Sequence, residues 1–368
     1  MRNLLNRWLQ QCLTTLLLIT LFLGTSIAGW TPTSDAALPA GNAITDGKAL
    51  LRYSLPVDNK FARRMQGSLE DIANQIRANK RWGAISKDIS TASRVIEQPE
   101  KLLASVPDEK KPQAEAIVAE LKSGIATLRQ FADAKDKEQI LEQRARLLKL
   151  VSTLEESMVQ KYPFEVPEEY SNLPQLKGRA TVALKTAKGD VKIVVDGYSA
   201  PVTAGNFVDL VQRGFYDGLP FTRSEESYVL QTGDPDGPEQ GFIDPKTGKY
   251  RSIPLEVLAV GDKAPFYGMT LEDAGRYRDQ VVLPFSAFGT VALARPEGQA
   301  NGGSSQFFFF LFDPELTPAG RNLLDGRYAV FGYMTEGKDV LEQLKAGDKI
   351  ESAKVVEGAE NLVEPQSA

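Results

Sequence analysis

No histidine occurs among the 368 residues, so Ser-His-Asp and Cys-His catalysis and every imidazole-bound metal site are excluded at once. The single cysteine, Cys12, lies near the N-terminus, which leaves the body of the chain without a disulfide framework, a thiol nucleophile or a zinc-thiolate site. Excess positive charge is missing as well: 43 Lys and Arg stand against 48 Asp and Glu, a net charge of −5, so nothing points to a general affinity for nucleic acid. Metal and phosphate motifs are equally thin. Asp234-Pro235-Asp236-Gly237, followed by Glu239, lacks the ligand spacing of a calcium loop. Asn301-Gly302-Gly303 lacks the strand–glycine–helix context of a phosphate loop. No metal or cofactor is expected. With 42% hydrophobic and 25% charged residues, the chain reads as globular and long enough for two domains.

What is present falls into segments. In residues 1–36, Arg2 and Arg7 precede an apolar run from Leu16 to Leu23 and then small residues at Ser26-Ile27-Ala28 and Ser34-Asp35-Ala36. This pattern is that of a Sec-type signal cleaved after Ala28 or Ala36; the alternative is an uncleaved anchor over Leu13 to Trp30. Residues 45–160 have helical periodicity. Phe61, Met65, Leu69, Ile72 and Ile76 recur at spacings of three and four, as do Ile85, Ile89, Ala92 and Ile96, then Ile117, Leu121, Ile125 and Leu128, then Ile140, Arg144, Leu147, Val151, Leu154 and Met158. Asp58 is placed to cap the first of these segments, Pro99, Pro107 and Pro112 interrupt the chain between the second and third, and Trp82 reads as a core or cap residue. Four amphipathic segments with short connections predict a four-helix bundle.

Residues 161–178 alternate Pro163, Pro167 and Pro174 with Glu165, Glu168 and Glu169, an acidic, stiff connector. Its Tyr162, Phe164 and Tyr170 favour a strap laid on a neighbouring domain over a free linker. Over residues 179–358 the period drops to two. Short strands are expected near 181–185, 191–195, 221, 228–231, 253–257, 290–294, 306–312, 328–333 and 349–356, with helices at about 203–212 and 338–345 and a tail at 359–368. Many short strands with two helices predict a closed barrel, because closure removes sheet edges.

Four motifs occur in order: Phe221-Thr222-Arg223, Tyr228-Val229-Leu230-Gln231-Thr232-Gly233-Asp234, Ser304-Ser305-Gln306-Phe307-Phe308, and Leu324-Asp325-Gly326-Arg327-Tyr328-Ala329-Val330-Phe331-Gly332. With Ala200-Pro201-Val202-Thr203-Ala204-Gly205-Asn206-Phe207, they resemble the cyclophilins over about residues 180–358. The resemblance implies an α+β chain: the helical bundle followed by an eight-stranded antiparallel barrel with two capping helices. It also implies rotation of X-Pro peptide bonds in a groove. By this resemblance Arg223 is the catalytic arginine, and Gln231 binds the substrate backbone and orients that arginine. Tyr228, Val229, Gln306, Phe308, Leu323, Leu324 and Tyr328 form the proline pocket and its rim, with Phe307, Phe309 and Phe310 as core. Leu323 stands where drug-sensitive members carry tryptophan. Thr222 and Tyr328 stand where many members carry histidine, and Tyr228 where phenylalanine is usual. Glu225 and Glu226 are close enough to pair with Arg223 and draw it out of the groove.

An insertion at 258–284 contains Pro265-Phe266-Tyr267-Gly268; long loops inside compact domains are often functional. Together with Leu50-Leu51-Arg52-Tyr53-Ser54-Leu55-Pro56 and Pro163-Phe164-Glu165-Val166-Pro167-Glu168-Glu169-Tyr170, it resembles the multidomain cyclophilins of the thylakoid lumen, in a cyanobacterial-type form. That resemblance implies a monomer, peripheral to the membrane, in the thylakoid lumen or periplasm. Its partners would be X-Pro-containing segments and photosystem II subunits, and its task assembly or repair of that photosystem. Two functions stay open: a prolyl isomerase working through Arg223, and a non-catalytic scaffold that binds through groove, insertion and bundle.

Overall fold

The computed structural model describes residues 44–78, 81–238, 240–312 and 322–365. The expected signal or anchor over residues 1–36, and Cys12, lie outside them.

The amphipathic stretches form helices, and their apolar stripes meet in one core. The bundle consists of α2 (Lys60–Arg77) and α3 (Trp82–Ile96), then α4 (Lys111–Asp133) and α5 (Lys137–Met158), with a single turn at Pro99–Leu102 between the pairs. Met65, Leu69, Ile89, Leu121, Leu147 and Leu154 are buried in this core, and Trp82 packs against it at the start of α3. The cap of α2 is Asn59, not Asp58: its side chain accepts from the backbone of Phe61 and Ala62, while its amide donates to the carbonyls of Lys101 and Leu102. Only a short amide reaches both partners. Arg144, on the apolar stripe of α5, leaves the core and donates to the Leu69 carbonyl and the Glu70 carboxylate, 2.7 and 2.6 Å away.

The preceding helix, α1 (Gly47–Ser54), is not part of that core, although the helical pattern begins at 45. Leu50 and Leu51 instead join the apolar cluster on the outside of the sheet, with Val330 and Tyr333. A Cβ on Gly47 would stand 2.8 Å from that of Tyr333, so the close approach of this helix requires glycine.

The C-terminal half holds one antiparallel sheet of eight strands. In chain order they are β1 (Arg179–Thr186), β2 (Gly189–Asp196), β3 (Phe221–Glu225), β4 (Val229–Thr232), β5 (Thr290–Leu293), β6 (Phe307–Phe310), β7 (Val330–Glu336) and β8 (Ile350–Glu357). Their spatial order is β8-β1-β2-β7-β5-β6-β4-β3. The sheet curls until its two edges touch: Pro220 bridges Lys349, and the Phe221 amide donates to the Asp348 carbonyl at 2.8 Å. Residues 253–257 depart from expectation, since Glu256–Val257 pairs with Phe266–Tyr267 outside this sheet. Inside the curl, Val182, Ile193, Phe307, Phe309 and Phe331 pack with Phe207 and Leu210 of α6 (Pro201–Gln212). The second expected helix is a single turn, α7 (Lys338–Leu341).

The connector lies on the barrel as a strap. Val166, Tyr170 and Leu173 pack against the barrel core, the Tyr162 hydroxyl donates to the Gly197 carbonyl at 2.6 Å, and Tyr170 meets Tyr267 of the insertion.

Candidate functional site

Strand alternation sends successive side chains to opposite faces. Along β6, Phe307 and Phe309 therefore enter the barrel interior, whereas Phe308 and Phe310 join the outer cluster. Phe310 is thus core, but of the outer face. The register carries this outer row across the sheet: Arg223 pairs with Gln231, Gln231 with Phe308, Phe308 with Ala292, and Ala292 with Val330. One irregularity makes the row possible. Phe221 is buried in the core and Arg223 faces out, although two residues apart in a regular strand share a face. The register shift between them, a bulge at Thr222, switches the side.

The row lies in an open groove of about 760 Å³. Arg223, Tyr228, Val229, Gln231, Gln306, Phe308, Leu324 and Tyr328 all border it, so eight expected site residues are gathered at one place. Phe308 is 5% exposed, stacked on Phe285 with centroids 6.0 Å apart and set edge-on to Tyr328 at 5.4 Å. Tyr228, 38% exposed, stands edge-on to Phe310 at the groove's margin. Gln231 Nε2 donates to Gln306 Oε1 at 2.7 Å, and Gln306 Nε2 donates in turn to Asp234 Oδ1 and the Gln240 carbonyl.

Two expectations are corrected. Leu323 does not border the groove and is 84% exposed. Its turn is fixed by Asn322, which accepts from the Leu324 amide, and by Asp325, which accepts from the amides of Asn322 and Phe285. That arrangement turns Leu324 to the groove and its neighbour to solvent. Gln231 is also not the partner of Arg223. The guanidinium is held by Glu225, which accepts from Nε at 2.7 Å and Nη2 at 2.5 Å, and both side chains are about half exposed. The anticipated competition between groove and carboxylate is therefore present, yet the groove itself is open.

The other half of the groove was not anticipated. Tyr250, Ser252, Gln299, Asn301 and Gly302 line it, with the Tyr250 hydroxyl donating to the Gly302 carbonyl at 3.0 Å. The turn at Asn301-Gly302-Gly303 was the only signal in that stretch. Arg295 also borders the groove, its guanidinium 5.2 Å from the Tyr328 ring centroid.

The insertion buttresses the groove from behind. The Leu271 amide donates to the Gly326 carbonyl, Glu272 pairs with Arg327 at 2.5 Å, and the Pro284 carbonyl accepts from the Tyr333 hydroxyl. At its root, the fully buried Glu256 accepts from the amides of Val202 and Thr203 at the start of α6, and burial pushes its carboxyl up to about 7. Among the described residues no cluster of three acidic or cysteine side chains is placed to hold a metal ion.

Comparison with known proteins agrees with both halves of this description. Residues 46–159 match the model of the PsbQ-like domain of CYP38-like peptidyl-prolyl cis-trans isomerases. Residues 181–360 match the model of cyclophilin-type peptidyl-prolyl cis-trans isomerases. The chain is 58% identical, over 98% of its own length and 97% of the relative's, to a protein of Synechocystis sp. named as a thylakoid lumen peptidyl-prolyl cis-trans isomerase. It is 47% identical to the chloroplastic isomerase CYP38 of Arabidopsis thaliana, over 90% of this chain and 78% of that one. The chloroplastic isomerase CYP37 of the same plant is 33% identical over 87% and 71% of the two chains.

Proposed function

This chain belongs to the cyclophilin-type peptidyl-prolyl cis-trans isomerases with a CYP38-like, PsbQ-like helical domain, and from that premise we propose that its groove binds X-Pro segments with Arg223 and Gln231 at the reacting bond. The observation that carries the reading is the outer row, in which a guanidinium, a carboxamide and an apolar ring stand side by side on neighbouring strands.

The chemistry needs no nucleophile, which suits a chain without histidine and with one cysteine. Amide resonance sets a barrier of about 18–20 kcal/mol, and twisting the bond pyramidalises the proline nitrogen and frees its lone pair. An Arg223 N–H donated to that lone pair stabilises the twisted state more than either planar isomer. Phe308, with Val229, Leu324 and Tyr328 around it, holds the proline ring. Gln231, already anchored to Gln306, keeps its carbonyl oxygen and one N–H for the substrate backbone. Glu225 occupies Nε–H and one Nη2–H of the guanidinium, so it competes with substrate for Arg223. That pair favours a second reading, a binding scaffold without catalysis. Among the described residues no helix is long and apolar enough to cross a membrane. The names of the relatives support a site of action in the thylakoid lumen, and the PsbQ-like bundle supports photosystem II subunits as clients.

Exchange spectroscopy on an Ala-Pro peptide with the full chain tests this. Acceleration of isomerisation that falls roughly a hundredfold in Arg223→Ala and in Phe308→Ala supports the enzyme. Peptide binding without any acceleration leaves the scaffold.

A further inference from the structure

The groove is positively charged in a protein of net charge −5. Its lining includes two arginines, Arg223 and Arg295, and no carboxylate. The two are not equivalent. Arg223 already has Glu225 as a counterion. Arg295 has none among the described residues: its Nε and Nη2 donate to the Arg327 carbonyl at 3.1 and 2.8 Å, and its Nη1 donates to the Pro296 carbonyl at 3.4 Å. Neutral acceptors fix the guanidinium without cancelling its charge, and Tyr328 supports its face at 5.2 Å. Three of its five N–H groups are thereby used, leaving one on each terminal nitrogen. Both remain to donate to a carboxylate. The side chain is already ordered, so a ligand gains the interaction without the cost of fixing a free arginine.

We propose that Arg295 makes the groove selective for acidic proline segments, with an Asp or Glu near the proline taking the two remaining N–H groups. The inference rests on the reading of Phe308 as the proline pocket. Tyr328 touches both Phe308, at 5.4 Å, and the guanidinium, at 5.2 Å. An extended chain covers that span in about three residues at roughly 3.3–3.6 Å each.

The test titrates the full chain with alanine-based peptides carrying one proline. Gln or Glu is placed at each of the three positions on either side. At low salt, at least one Glu peptide is expected to bind roughly two- to fivefold more tightly than its Gln counterpart, the range for a partly exposed ion pair. The preference disappears in Arg295→Gln, is reduced in Arg295→Lys, and shrinks as salt shortens the screening length. Equal binding of all Glu and Gln pairs by the wild type overturns the proposal, as does a preference that survives Arg295→Gln. If no peptide binds, neutral ones included, the proline-pocket reading falls and this inference with it. Neutral binding without an acidic preference removes this inference alone.

Discussion

At Arg223 two demands compete. The bulge at Thr222 turns the side chain out of the core and into the row with Gln231 and Phe308, while Glu225, on the same strand, supplies the nearest opposite charge. Both partners are about half exposed, so water screens their attraction and the pair is worth about 0–1 kcal/mol. On the proposed role of Arg223, a pair of this strength is expected to slow isomerisation without abolishing it. Glu225→Gln is therefore expected to raise kcat/KM roughly two- to fivefold in the peptide exchange assay, with an unchanged or lower value counting against the competition. The resemblance of the ordered motifs to the cyclophilins grouped Arg223, Gln231, Tyr228, Val229, Gln306, Phe308, Leu324 and Tyr328, and all eight border one groove. Leu323 failed for a reason no motif contains. Asn322 and Asp325 fix the turn that directs one leucine inward and the next outward. Arg295 was not anticipated for the same kind of reason, since its position at the groove is fixed by the carbonyl of Arg327 and the ring of Tyr328, residues distant in the chain.

Among the elements, the helices and strands were largely legible because their hydrophobic periods are strong, and the exceptions share a cause. The turn at Lys338–Leu341 and the displaced pairing of Glu256–Val257 depend on what the surrounding structure leaves available for hydrogen bonding. The cap of α2 shows the same dependence. Asp58 and Asn59 are both suitable capping types, but only an amide can accept from the helix and donate to Lys101 and Leu102 together. Asn59→Ala is expected to destabilise the bundle by roughly 1–3 kcal/mol, the cap plus two orphaned carbonyl acceptors. Trp82 emission during urea unfolding reports this, since Trp82 packs against the bundle core. Asn59→Asp is expected to recover only part of the loss, because a carboxylate keeps the cap and cannot donate.

On the scale of the whole molecule, α1 ties the barrel to the bundle through buried charge. Arg179 at the start of β1 donates to the Leu51 carbonyl, to Ser54 Oγ at 3.0 Å and to Asp196 Oδ2 at 3.0 Å, and Ser54 Oγ donates to Asp196 Oδ2 at 2.5 Å. On the bundle side, Arg52 and Arg144 share Glu70, and Arg63 stands 3.4 Å from Glu155. Glu155 has no exposed side-chain surface, and desolvation pushes it up to about 7 despite the opposing pull of Arg63, Arg52 and Arg179. The folded chain thus holds this proton more tightly than the unfolded chain, whose carboxyl titrates near 4.5. The stabilisation is fully present below about 4.5 and is lost as pH rises towards 7. Glu256 contributes in the same direction. In Glu155→Gln, the thermal midpoint is expected to vary less steeply with pH across that window. An unchanged slope would show that the carboxyl is ionised throughout.

The sequence by itself determined the two-part architecture, the helical and strand periods, the exclusion of imidazole chemistry, and eight of the residues that border the groove. The architecture and the periods follow from short-range pattern, whereas the groove residues rest on the resemblance of the ordered motifs to the cyclophilins. Tertiary structure alone decided that α1 packs on the sheet, that Leu323 faces water, and that Arg295, with no counterion among the described residues, stands against Tyr328 at the groove. Each of these depends on distances between residues far apart in the chain or on the direction of a single turn, and hydrogen bonding and desolvation settle such matters only once the chain has folded around them.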